Sequence, residues 1–98
     1  MIRYSLTLTR KADKDEADIY KHIIEKFGEI YADKFRETFI QFCHLLSKQP
    51  FIGRPAKRDP SLRVFIFNKQ NKVVYKVADN TVIIIRILNI KTNLSSKF

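Results

Sequence analysis

The sequence predicts an α+β fold, a helical hairpin packed on one face of a mainly antiparallel four-stranded sheet, in the order β-α-α-β-β-β. Three observations carry that prediction. The first half contains two stretches whose apolar residues recur every three or four positions, and the second half contains three stretches rich in β-branched and aromatic residues. Only two Gly and three Pro interrupt the 98 residues. With 45% apolar side chains the composition is that of a packed globule and excludes disorder or a collagen-like chain. At this length one hydrophobic core, and one domain over residues 1–98, is expected.

Residues 2–8 alternate apolar Ile2, Tyr4, Leu6 and Leu8 with Arg3, Ser5 and Thr7, the period-two pattern of a half-buried strand. Asp13 is placed to cap the first helix, with Glu16 as its capping-box partner and Asp15 and Asp18 complementing the positive end of the helix dipole. Tyr20, Ile23, Ile24 and Phe27 form its apolar stripe, and Gly28 stops it. A second stripe of Tyr31, Phe35, Thr38 or Phe39, Phe42, Leu45 and Leu46 runs to about Lys48, where Pro50 and Gly53 end it. So short a link between amphipathic helices folds them back as an antiparallel hairpin. Residues 51–61 read as a loop, residues 62–68 as a strand, 69–71 as a turn and 72–78 as the next strand. Asp79 and Asn80 separate that strand from the last one, residues 81–89, at tight-hairpin spacing. Residues 90–98 form a polar tail.

The charge is unevenly placed. The formal net charge is +9, and residues 51–98 carry ten basic side chains against only Asp59 and Asp79. The field therefore belongs to the loop-and-sheet half and suits a polyanionic or acidic partner. Because charges avoid cores unless paired, strand parity predicts that Arg3, Arg63, Lys72, Lys76 and Arg86 share the sheet face away from the helices, together with Phe65, Phe67, Val74 and Leu88. Such a mixture of aromatics, aliphatics and cations marks a docking surface, to which loop residue Arg54 and tail residue Lys91 add positive charge. The blander reading is that long basic side chains snorkel over a partly covered sheet.

Signals for chemistry are sparse. His22 and His44 lie on the helices and read as surface or boundary residues, and Cys43 reads as a small buried residue rather than a nucleophile. The helical carboxylates alternate with Lys and read as solvated faces. No P-loop, dinucleotide fingerprint or metal-ligand spacing occurs, so neither a metal nor a cofactor is expected. An RNA-cleaving site could draw only on Arg63, Arg86 and Lys91, with no evident general base or acid beside Lys91. No apolar run is long enough to span a bilayer, no leader pattern opens the chain, and a single cysteine suits a reducing compartment.

Several short motifs, in this order and spacing, resemble the ParE branch of the RelE/ParE toxin superfamily. They are Tyr4-Ser5-Leu6-Thr7 followed by Ala12 and Asp15, then Tyr20, Ile23 and Phe27-Gly28, then Ala32 and Phe35. Pro50-Phe51-Ile52-Gly53-Arg54 resembles the family's Pro-x-x-Gly-Arg junction, Leu62-Arg63 opens a strand, and Val74-Tyr75-Lys76-Val77 and Ile85-Arg86-Ile87-Leu88 resemble its core strands. The resemblance implies a cytoplasmic bacterial toxin neutralised by a cognate antitoxin with an acidic, flexible segment. In the ParE-like case it implies a non-enzymatic inhibitor of DNA gyrase, for which the docking surface read from charge and strand parity, Arg54, Arg63, Phe65, Phe67, Lys72, Lys76, Arg86 and Lys91, is the expected binding set. The alternative it implies is a RelE-like, ribosome-dependent mRNA interferase using Arg63, Arg86 and Lys91. Asn89 stands where many members carry His, Lys91 where they carry Arg, and residues 92–98 contain neither Tyr nor His, which weighs against that alternative. Direct nucleic-acid binding, with Phe65 and Phe67 stacking on bases, is the third reading.

Overall fold

A computed structural model describes residues 3–90. It contains β1 (Ser5–Leu8), α1 (Arg10–Phe27), α2 (Glu29–Lys48), β2 (Arg54–Pro55), β3 (Arg63–Phe67), β4 (Asn71–Ala78) and β5 (Thr81–Asn89). The five strands form one sheet in the order β1-β5-β4-β3-β2. All neighbours pair antiparallel except β1 and β5, which the intervening elements force to run parallel. The expected architecture holds, with one strand more than anticipated. That strand is β2, two residues within the predicted loop that pair with Arg63 and Val64. No helix among the described residues is long and apolar enough to cross a membrane.

The helix ends differ from expectation at one point. Thr9, not Asp13, caps α1, its hydroxyl accepting from the Ala12 N–H, so the helix starts a full turn earlier and Asp13 lies within that first turn. Gly28 ends α1 as expected, at φ 95°, a backbone conformation that costs a side-chain-bearing residue strain. Its N–H bonds to the carbonyls of Ile23 and Ile24, and α2 begins at the next residue. Asp79 and Asn80 both have positive φ and close a primed hairpin turn between β4 and β5.

The core lies between α2, α1 and one sheet face. It contains Phe35, Phe39, Phe42 and Leu46 from α2, Ala12 from α1, and Phe67, Val73, Tyr75, Val82, Ile84 and Ile87 from the sheet. Phe42 packs against both Phe65 and Phe67, with ring centroids 5.4 and 5.2 Å away. The α1 stripe is displaced from prediction: Ala12, Ile19 and Ile23 face the core, whereas Phe27 is 64% exposed. On α2, Tyr31 and Leu45 likewise point outward.

Two carboxylates expected on solvated helix faces are structural. Glu16 is buried and receives both Nε and a terminal nitrogen of Arg36 at 2.9 and 3.0 Å, while the same guanidinium lies 3.7 Å from the centre of the Tyr20 ring. This clamps α1 to α2. Asp15 closes the edge of β5. Because β1 pairs only as far as Ile84, the β5 backbone beyond it needs other partners. The Thr9 hydroxyl donates to the Ile85 carbonyl, and Asp15 accepts from the Ile87 N–H and, through both oxygens, from Arg86. That carboxylate holds the Arg86 guanidinium protonated above its ordinary range.

Two stability outcomes are expected. Phe42→Ala should cost ~3–5 kcal/mol in urea unfolding, whereas Tyr31→Ala should change stability by less than about 1 kcal/mol. Asp15→Asn removes the charge on which three donors converge and should cost ~1–3 kcal/mol, against about 0.5 kcal/mol or less for the exposed Asp13→Asn. Equal losses in the second pair would mean that Asp15 does not seal the sheet edge.

Candidate functional site

The sheet face turned from the helices departs from the parity prediction on two strands. In β3 the order is inverted. Phe65 and Phe67 point into the helix layer, Phe67 only 4% exposed, and Val64 and Ile66 take the outer face. The prediction failed because it required Arg63 to avoid the core side. Arg63 does lie on that side, paired with Tyr75 across the ladder, but at the margin of the layer, where backbone carbonyls satisfy its guanidinium. In β5 a bulge opposite Val74/Tyr75 inserts Ile85, so Tyr75 pairs with Ile84 but Val74 with Arg86. Parity therefore switches within the strand: Val82 and Ile84 are buried with the core, while Leu88 joins the outer face.

Lys72 and Lys76 lie on the outer face as expected, as do Val74 and Leu88, which form a small cluster with Leu62 and Val64. Arg54 pairs with Val64 and so shares that face. Arg3 is exposed ahead of β1. Arg86 is committed to Asp15 at the sheet edge. Lys91 and the tail after Ile90 lie outside the described residues. The expected set is thus divided: Arg54, Lys72 and Lys76 share the outer face, Phe67 belongs to the interior, Phe65 is half-buried on the core side but still borders the groove, and Arg63 and Arg86 are bound into the fold.

The outer face forms a groove of about 730 Å³. Its floor is mainly aliphatic, from Val64, Ile66 and Val74 with Phe65 at its border, and Ile52, Pro55 and Ala56 of the overlying arm form one wall. Its charged lining is Arg54, Lys57, Arg58 and Lys72, four cations with no carboxylate among them. Lys57 and Arg58 fall in the stretch whose sequence reads as a loop, and nothing local in that stretch signals that the arm folds over the sheet.

A buried hydroxyl ties that arm down. Tyr75, fully buried on β4, donates to the Pro50 carbonyl and accepts from the Gly53 N–H, both at 2.8 Å. Burial raises the phenol above its ordinary pKa, so the donor to Pro50 persists further into alkaline pH than that of an exposed tyrosine. Arg63 donates to the Gly53 carbonyl at 2.7 Å and to the Phe51 carbonyl at 3.3 Å, and its guanidinium sits 5.0 Å from the Phe51 ring centre. A Cβ on residue 53 would stand 2.6 Å from the Tyr75 hydroxyl, so only glycine fits. The Pro-x-x-Gly-Arg junction, legible as a motif, is in physical terms the docking site for this tyrosine.

Acid–base and nucleophilic groups are not gathered at the groove. His22 and His44 are exposed on the helices. Cys43 is half-buried against the core, and burial, with a smaller contribution from Glu16, pushes its thiol from 9.0 to about 11. Among the described residues no cluster of His, Cys, Asp or Glu is arranged to hold a metal ion. The raised thiol pKa means that the fold favours the protonated form. Iodoacetamide should therefore modify native Cys43 far more slowly than a free thiol at pH 8, with a rate that keeps rising towards pH 11, and the associated stability should be lost as pH climbs above 9.

Comparison with known proteins agrees with this architecture. The family model for the ParE toxin of the type II toxin–antitoxin system parDE matches residues 6–93. No curated protein matches the chain. Among solved structures it is similar to the chromosomal ParDE toxin–antitoxin system of P. aeruginosa, with 25% identity and a TM-score of 0.78 over 91% of this chain and 98% of that one. The RelBE2 toxin–antitoxin complex of Mycobacterium tuberculosis shares the fold at 19% identity and a TM-score of 0.67, over 90% and 99% of the two chains. So does a conserved hypothetical protein of Helicobacter pylori, at 19% identity and a TM-score of 0.60, over 90% and 96%. With both helices and all four strands after α2 inside the matched region, the chain belongs to the ParE toxin family of type II toxin–antitoxin systems.

Proposed function

We propose that this ParE-type toxin acts in the bacterial cytoplasm by binding, that its target is DNA gyrase, and that a cognate antitoxin with an acidic, flexible segment neutralises it. The observation that carries the binding reading is the groove itself, an aliphatic floor bordered by Arg54, Lys57, Arg58 and Lys72. An amphipathic protein segment with carboxylates beside aliphatic side chains is complementary to both parts, whereas a nucleic-acid strand would need stacking surfaces. Of the two rings that nucleic-acid binding required, Phe67 is turned into the core, and Phe65, which borders the groove, is stacked on Phe42 of the helix layer. The ParDE and RelBE neighbours are toxin–antitoxin systems, which supports an antitoxin as partner.

The interferase alternative draws on Arg63 and Arg86. Both already have partners within the fold, Arg63 on the Gly53 and Phe51 carbonyls and Arg86 on Asp15. Freeing either for a phosphate would mean breaking charge-assisted bonds at a cost of about 1.5–3 kcal/mol each. This favours the binder.

The deciding experiment sets purified toxin against gyrase supercoiling and against mRNA in a translating extract. The expected outcome is inhibited supercoiling with intact mRNA, relieved by the antitoxin encoded beside the toxin. Untouched supercoiling with cleaved mRNA would replace the proposal by the interferase. Lys72→Glu combined with Arg54→Glu should weaken antitoxin binding by at least tenfold while leaving the melting temperature within a few degrees, because both side chains are on the groove's rim.

A further inference from the structure

We infer that Tyr75 and Arg63 are positioning residues, a latch that holds the basic arm of residues 52–58 over the sheet and so preforms the groove. The inference deepens the binding reading above and rests on it only where a partner is concerned.

Ala56 is buried and Ile52 packs against the core, but the backbone pairing of the arm with the sheet is short. Its strand, β2, is two residues long and pairs only with Arg63 and Val64, and one of its two residues is Pro55, which has no N–H to donate. The Ala56 N–H adds one bond to the Leu62 carbonyl. Continued along the same ladder, Ile52 would lie opposite Ile66, but the chain departs from β3 before that point. It departs at Gly53, where both backbone polar groups are taken by side chains: the N–H by Tyr75 and the carbonyl by Arg63. The chain leaves the sheet where the latch grips it. Arg54 and Lys57, one and four residues further on, are carried to the groove's rim by that departure.

This separates two kinds of basic residue that the sequence presents alike. Arg54, Lys57 and Lys72 offer charge to a partner. Arg63 spends its charge on the Gly53 and Phe51 carbonyls, so its contribution to binding passes through the arm. Tyr75 carries no charge at all, yet the placement of the arm's cations depends on its hydroxyl.

Tyr75→Phe and Arg63→Gln in the full chain test this, with two readouts. The first is amide hydrogen exchange at Ala56, whose bond to Leu62 neither substitution touches. Exchange there should accelerate roughly tenfold or more in both variants, beyond any change at the core amides of Val82 and Ile84. The second is binding of a decaglutamate peptide as a function of salt. Tyr75→Phe removes no charge, but it should weaken binding severalfold and flatten the salt dependence, because the arm's cations no longer converge on the ligand. A purely structural role would speed exchange at Ala56 and in the core by a common factor and leave the salt dependence unchanged, and either result overturns the latch. Arg63→Gln, at the margin of the core, decides the matter if Tyr75→Phe fails to fold. If decaglutamate does not bind the wild type, the acidic-partner reading falls, and Ala56 exchange alone still judges the latch.

Discussion

The hydroxyl of Tyr75 sits where the buried core meets the loop that leaves α2, and much of the molecule's functional geometry depends on how it is satisfied. A phenol buried without partners would be costly, and it finds two in the backbone of residues 50 and 53. Those two bonds oblige the chain to pass close over β4, which in turn demands glycine at position 53. From there the chain can reach β3 only as the brief pairing of β2, and the basic residues that follow are delivered to the outer sheet face. Core packing and the charged groove are thus linked through one side chain.

The same economy appears at the opposite edge of the sheet. β1 is too short to cover β5, and its place is taken by Thr9 and Asp15, residues that also begin and strengthen α1. Arg86 completes that seal. Its neighbour Ile85 is the extra residue of the β5 bulge, so the bulge, the edge seal and the ion pair fall at one place. Local twist at a bulge gives a side chain a direction that simple alternation does not supply. Here it serves the architecture, and the cations turned towards a partner are Arg54 and Lys57 on the arm and Lys72 and Lys76 on β4.

Several elements were legible before the structure because their signals are local. Alternation in residues 2–8, the glycine at 28, the α2 phenylalanines and the Asp79-Asn80 hairpin depend on neighbours in sequence, and each appears close to where it was expected. The α1 stripe was displaced because its buried face admits Glu16, a carboxylate made tolerable by Arg36 from another helix. The family, too, was legible, through the order and spacing of short motifs that the Tyr75–Gly53 contact and the Asp15–Arg86 pair now explain.

The faces of the sheet were a different matter. A rule that sends charges outward is sound for isolated side chains, but it cannot distinguish Lys72, which lines the outer groove, from Arg63, whose carbonyl partners lie ten and twelve residues away. Nor can it detect a bulge, since one extra residue in β5 is defined only by its register against β4. By itself the sequence determined every element except β2, their order, the family and the basic character of the second half, because these follow from periodicity, composition and motif spacing. Only the tertiary structure decided which cations face a partner, since that depends on strand register and on hydrogen-bond partners distant in the chain.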